Sequence, residues 1–116
     1  MAYIPGYLLR RIYVKGSMKA TPEGLEFKLR NDLATATVTR LTVEVDGQPV
    51  EALVEISGRQ VPASQITPEN PLRFPRGAEA RILAAGSYTK GRHRVKVTAS
   101  VAGFGTGSID IEDEAA

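Results

Sequence analysis

Apolar and polar residues alternate along much of this chain, and the alternation predicts β-strands. The clearest run is LEFKLRN at 25–31, where Leu25, Phe27 and Leu29 alternate with charged residues. A period of two places the apolar side chains on one face of a strand, against a core, and the charged ones in water.

Two more alternating runs flank the turn-forming pair Asp46-Gly47 and predict a hairpin. The apolar positions are Leu41, Val43 and Val45 before the turn and Val50, Ala52, Val54 and Ile56 after it. Val38 has the opposite parity from Leu41, so we predict a bulge near Thr39-Arg40 if both are buried.

Further strands are predicted in ARILA at 80–84, RVKVTASV at 94–101 and SIDIED at 108–113, while PASQI at 62–66 suits one helical turn. Turn residues recur about every ten positions, which is typical of an antiparallel β-sandwich. We therefore expect an all-β sandwich of seven or eight strands over residues 10–112. A β-barrel is the alternative. Residues 113–116 are expected to form an acidic tail.

The N-terminal stretch divides into two parts. RRIYVKG at 10–16 is predicted as the first strand, with Ile12 and Val14 toward the core and Tyr13 toward solvent. Residues 1–9 form an apolar arm, which packs either across a neighbouring subunit or over its own domain end. The candidate interface residues are Tyr3, Ile4, Tyr7, Leu8, Leu9 and Tyr13.

Composition is that of an ordinary soluble domain. The 116 residues are 42% hydrophobic and 24% charged, with a net charge of +2. Absence of cysteine excludes disulfides and thiolate chemistry. The opening has neither the charge pattern of a leader peptide nor the length of a membrane helix, so a cytoplasmic protein without a membrane partner is expected.

Candidate chemistry is sparse. His93 is the one histidine, and its place at the start of a strand suits a sheet margin better than catalysis. GFGTGS at 103–108 lacks the last glycine of a phosphate loop, so its glycines indicate a tight connection or a close backbone approach. We expect no catalytic residue, no metal site and no cofactor.

Four cations of one parity form a candidate anion-binding stripe: Lys90, Arg92, Arg94 and Lys96. Two features argue against nucleic acid as the ligand: no aromatic residue is interleaved for base stacking, and the acidic C-terminal residues would cover the stripe if their strand paired nearby. A nucleic-acid-binding module is thus the second functional hypothesis, and a small stand-alone enzyme the third.

Three segments together resemble the small β-subunit of C-glycoside deglycosidases: Gly24 to Lys28, Val45 to Gly47 and Gly91 to Val97. The resemblance spans residues 16–103. It implies a non-catalytic β-sandwich beside a larger, metal-dependent, carbohydrate-modifying subunit that holds the catalytic residues. The first hypothesis is therefore an accessory or self-associating subunit, a homo-oligomer or the partner of a larger enzyme subunit.

Overall fold

Alternation of apolar side chains builds two antiparallel sheets around a shared core. A computed structural model describes residues 5–116, and within that range the strands are Lys19–Thr21 (β1), Gly24–Arg30 (β2), Ala36–Val45 (β3), Gln48–Val50 (β4), Ala52–Ile56 (β5), Arg59–Pro62 (β6), Leu72–Phe74 (β7), Glu79–Ala85 (β8), Gly91–Val101 (β9) and Gly105–Ala115 (β10).

One sheet has the order β1-β2-β8-β5-β6, and the other has β10-β9-β3-β4 with β7 also paired to β3. Buried side chains from both inner faces form one hydrophobic cluster. This architecture confirms the all-β sandwich predicted from the sequence. No helix among residues 5–116 is long and apolar enough to cross a membrane.

Several local predictions are confirmed. The β3–β4 hairpin turns at Asp46-Gly47, and the β3–β9 register shifts between Val38 and Arg40, where the bulge was expected. Val38 and Leu41 are both buried, as that bulge requires. One helical turn was predicted in PASQI, and residues Ala63–Gln65 form a turn there, of 3₁₀ type.

The run after Asp46-Gly47 is two strands rather than one. Val50 pairs with Val43 in one sheet, whereas Ala52 pairs with Ala84 in the other, so the chain crosses between sheets at Glu51. Residues 50 and 52 share a parity, and both inner faces contact the same core. Alternation alone therefore did not reveal the crossing.

The strand predicted for 10–16 is wrong. Residues Gly6–Leu9 form a short helix (α1), followed by a 3₁₀ turn at Arg10–Ile12, and only Tyr13 makes a β-bridge, to Leu29. Helical spacing places Leu9 and Ile12 on the same side of the chain, so both contact the core. In a strand, residues 9 and 12 would point to opposite faces, as would residues 8 and 9.

The acidic tail predicted for 113–116 is instead structured. β10 continues through Ala115, which is buried, and the following amide of Ala116 donates to the Met18 carbonyl at 3.0 Å. The amide of Ala20 donates in turn to the Ala116 carbonyl at 3.0 Å. The C-terminus thereby joins the two sheets, and the sandwich extends beyond residue 112.

The two ends of the sandwich are packed differently. At the closed end, Met18, Leu25 and Val95 are completely buried. At the open end, formed by α1, the 31–36 loop and the β9–β10 turn, a cavity of about 260 Å³ remains between the sheets. A space of this size interrupts the close packing of the core at the open end.

Gly24 supplies a test of the closed end. Its φ is +151°, and a Cβ built there would overlap the Ala84 carbonyl oxygen. We expect Gly24→Ala to lower the free energy of unfolding by about 3 kcal/mol, because backbone strain and a steric clash combine. Urea denaturation measures the change.

Gly58→Ala is the matched control. Gly58 has φ +79° with nothing within 4 Å of the added Cβ, so only the left-handed backbone is penalised, by about 1 kcal/mol. Equal losses for the two variants would show that the approach to Ala84 is unimportant.

Candidate binding surface at the open end

The N-terminal segment is held against the open end of its own domain. Gly6 lies against the edge of β10: a Cβ added to Gly6 would be 3.7 Å from the Ser108 carbonyl oxygen. Leu8 and Leu9 then turn inward and line the cavity. Because an edge strand left bare invites pairing with other chains, this segment also protects part of β10.

Two aromatic side chains remain in solvent at this end. Tyr7 on α1 is 67% exposed, and Phe104 in the β9–β10 turn is 58% exposed. Phe104 lines the same opening as Leu8 and Leu9, and Tyr7 precedes Leu8 in α1, so both aromatic residues belong to this end of the sandwich. We call Tyr7 and Phe104 the aromatic rim.

Glycines explain why Phe104 projects there. Gly103 and Gly105 have φ of +82° and +101°, and the Phe104 amide donates to the Val101 carbonyl at 3.0 Å. Glycine adopts such φ values without steric cost, so the chain reverses within a few residues. GFGTGS is therefore the tight connection that the sequence indicated.

Tyr13 fixes the other end of the N-terminal segment. Its hydroxyl donates to Asp113 Oδ2 at 2.7 Å, and the Gly16 amide donates to the same oxygen at 2.9 Å. The amide of Gly16 is the main cause of a lowered pKa for Asp113, whereas burial, more than Asp113 itself, raises the pKa of Tyr13. Tyr13 thus packs inward, contrary to the predicted solvent-facing position.

The candidate interface residues consequently have different environments. Tyr3 and Ile4 lie outside the described residues. Tyr7 is exposed, Leu8 and Leu9 are half-buried at the mouth, and Tyr13 is tied to Asp113. Phe104 was not among the candidates, although a phenylalanine between two glycines at a turn was a usable signal, because turns ordinarily carry polar residues.

The cationic stripe is interleaved with carboxylates. Glu112 on β10 lies 3.2 Å from Arg94 Nη2 and 3.6 Å from Arg92 Nη1. Lys96 stands in register between Glu44 and Asp110 on its two neighbouring strands, and Lys90 lies just before β9. Pairing with acidic residues therefore leaves little net positive charge along β9.

His93 is enclosed at the closed end. Its Nδ1 lies 2.7 Å from Asp46 Oδ2, and its Nε2 lies 2.6 Å from the Thr89 carbonyl oxygen. Both partners accept hydrogen bonds, so the doubly protonated ring satisfies both. The pKa of His93 is raised, mainly by the hydrogen bond to the Thr89 carbonyl and next by the hydrogen bond to the Asp46 carboxylate. The Arg94 amide is the main cause of the lowered pKa of Asp46.

These contacts assign His93 a structural role. The ring closes the β3–β4 turn onto the start of β9, with Tyr88 packed edge-on at 5.8 Å between centroids. Among residues 5–116, no three His, Cys, Asp or Glu side chains are grouped so that they could hold a metal ion.

Comparison with known protein families identifies the family of this chain. The family model for the hydroxymethylglutaryl-CoA reductase N-terminal domain matches residues 8–116. The chain belongs to that family. The resemblance to the C-glycoside deglycosidase β-subunit is therefore wrong: its three segments are a strand, a hairpin and a margin histidine, which many sandwiches share. A search of curated proteins found no match.

The His93 arrangement predicts a pH-dependent stability. Since the folded-state pKa is raised, the stabilisation is complete below pH 6.5 and is lost as pH rises through the folded pKa. Asp46 does not add to this slope. Because the pKa of Asp46 is lowered, its contribution to the free energy of unfolding is lost only in acid. Urea unfolding at a series of pH values from 6 to 9 measures the slope.

His93→Gln should remove that slope and cost about 2 kcal/mol at pH 6, because a hydrogen bond to a charged group is lost. Asp110→Asn, an exposed acid on β10, is the control and should keep the slope. A slope that survives in His93→Gln would assign the titration to another group.

The Tyr13 hydroxyl provides a separate prediction. Tyr13→Phe should lower the free energy of unfolding by about 1 kcal/mol, since Asp113 loses a donor. It should also speed amide hydrogen exchange of the 6–12 segment. Tyr7→Phe, which removes an exposed hydroxyl, should change stability by less than about 0.5 kcal/mol. An unchanged exchange rate in Tyr13→Phe would mean that the segment is held by Leu9 and Ile12 alone.

Proposed function

We propose that this chain is a non-catalytic accessory module that binds the catalytic region of a reductase of its family through the aromatic rim. The observation that carries the proposal is the exposure of Tyr7 and Phe104, two large hydrophobic side chains at the same end of the sandwich. The family name supplies the class of partner, since it describes one domain of a reductase.

Energetics favour a protein partner at this surface. Aromatic side chains are enriched among the few interface residues that dominate binding energy, and they work best when neighbouring contacts exclude water around them. Tyr7 lies on a helix docked to β10, and Phe104 lies on a turn set by glycines, so both are held before a partner arrives. Such preorganisation lowers the entropic cost of association.

The alternative functions are less well supported. Nucleic-acid binding would rest on Arg92 and Arg94, and Glu112 already pairs with both. Acid-base catalysis by histidine would require a free ring nitrogen, whereas both nitrogens of His93 are occupied by Asp46 and Thr89. Among residues 5–116, the exposed large hydrophobic side chains are Tyr7 and Phe104, the two members of the aromatic rim.

Purified chain and the catalytic region of a hydroxymethylglutaryl-CoA reductase from the same organism provide the test. Isothermal titration calorimetry should detect a one-to-one complex. Phe104→Ser and Tyr7→Ser should each weaken it at least tenfold, the loss expected for a central aromatic contact. Ala102→Ser, in the same turn and also exposed, is the control and should bind normally.

Three results would overturn the proposal. The first is the absence of a complex with wild-type protein, and the second is a complex that both rim variants form with normal affinity. The third is a concentration-dependent homo-oligomer, seen by sedimentation of the chain alone and abolished by Phe104→Ser, because it would assign the aromatic rim to self-association.

A further inference from the structure

The cavity at the open end is almost wholly apolar. About 260 Å³ lie between the two sheets, bounded in depth by Val54, Ile82 and Val97. Exposed residues such as Phe104 and Ala34 also line it, so the space reaches the surface. Its mouth is partly covered by Leu8 and Leu9 from the N-terminal segment.

Small residues at facing positions create this space. Ala99 on β9 lies directly opposite Gly107 on β10, and Ala80 faces the cavity from the other sheet. At the closed end the same strands place Val95 opposite Ile111. The Ala99–Gly107 pair therefore has several fewer carbon atoms than the Val95–Ile111 pair, and the core at the open end is left incompletely filled.

Polar groups inside the cavity already have partners. Asn31 Nδ2 donates to the carbonyls of Ala34 at 2.7 Å and Phe74 at 2.9 Å, and its Oδ1 accepts from the Leu33 amide at 3.1 Å. Thr35 Oγ1 accepts from the Arg76 amide at 3.1 Å. Within residues 5–116 no buried side-chain polar atom lacks a hydrogen-bond partner. Ordered water needs two to four polar partners, so an apolar occupant suits this site better.

We infer that this cavity binds an unbranched aliphatic chain of about ten carbons, since apolar cavities of about 150 Å³ hold the six carbons of benzene. The lining runs from Val97 to Val101 along β9, roughly 13 Å at the rise of a strand. That elongated space fits a linear chain better than a compact ring. Phe104 belongs both to the aromatic rim and to the cavity opening, but the walls that would hold the chain lie between the two sheets, so this inference does not depend on the proposed protein partner.

Methyl-resolved NMR of the isolated chain tests the inference. Decanol and decanoate, each below its aggregation concentration, serve as probes with a neutral and an anionic head. Saturable shifts should appear at methyl groups that line the cavity, such as Leu72, Ile82 and Val97, and not at Met18 or Leu25 in the closed end. Binding of either probe supports the aliphatic site, and the preferred probe reports the head group that the mouth accepts.

A cavity-filling variant provides the decisive comparison. Ala80→Leu places three carbons into the cavity and should weaken probe affinity at least tenfold. Ala85→Leu makes the same change on the same strand at an exposed position and should bind normally. Ala99→Leu replaces Ala80→Leu if the latter does not fold. Absence of saturable shifts with both probes, or unchanged affinity in the folded filling variant, would overturn the inference.

Discussion

Pairing of β9 with β10 along their full lengths is the interaction on which the other features depend. The two strands stay in register from Gly91 with Ala115 to Val101 with Gly105. This register brings Glu112 beside Arg94, carries Asp113 to the Tyr13 hydroxyl and sets Ala99 opposite Gly107. The same hairpin ends in the turn that exposes Phe104. A shift by one residue would reverse every side chain of β10 between core and solvent and remove all of these contacts.

Local information in the sequence was sufficient for the class of fold. Parity identified most of the buried positions, Asp46-Gly47 identified a turn, and the change of parity between Val38 and Leu41 identified the bulge. These features depend on the period of a strand and on backbone conformations that few residues adopt. They need no knowledge of which strands become neighbours.

Features that depend on strand pairing were not predictable in the same way. Val50 and Ala52 share a parity although they belong to different sheets, because both sheets contact one core. Residues 113–116 were expected to form an acidic tail, yet pairing with β9 gives Asp113, Glu114 and Ala115 each a neighbour across the sheet. For residues 8–12 the sequence did hold a contradiction: adjacent leucines cannot both face a core from a strand, and a helical turn resolves it.

At the candidate site, too, local features were predictable from the sequence and features that depend on strand pairing were not. The partners of His93 show the difference: Thr89 is only four residues away along the chain, whereas Asp46 is 47 residues away and only the fold brings it to the ring. The cavity arises from residues that are unremarkable singly, since Ala80, Ala99 and Gly107 matter only because the sheets bring them together. The closed end, where Phe27, Leu25 and Val95 are fully buried, supplies the close packing that holds the two sheets together. With stability supplied there, the open end can retain small side chains, an unfilled space and exposed aromatic residues, which are costly to stability and useful for binding.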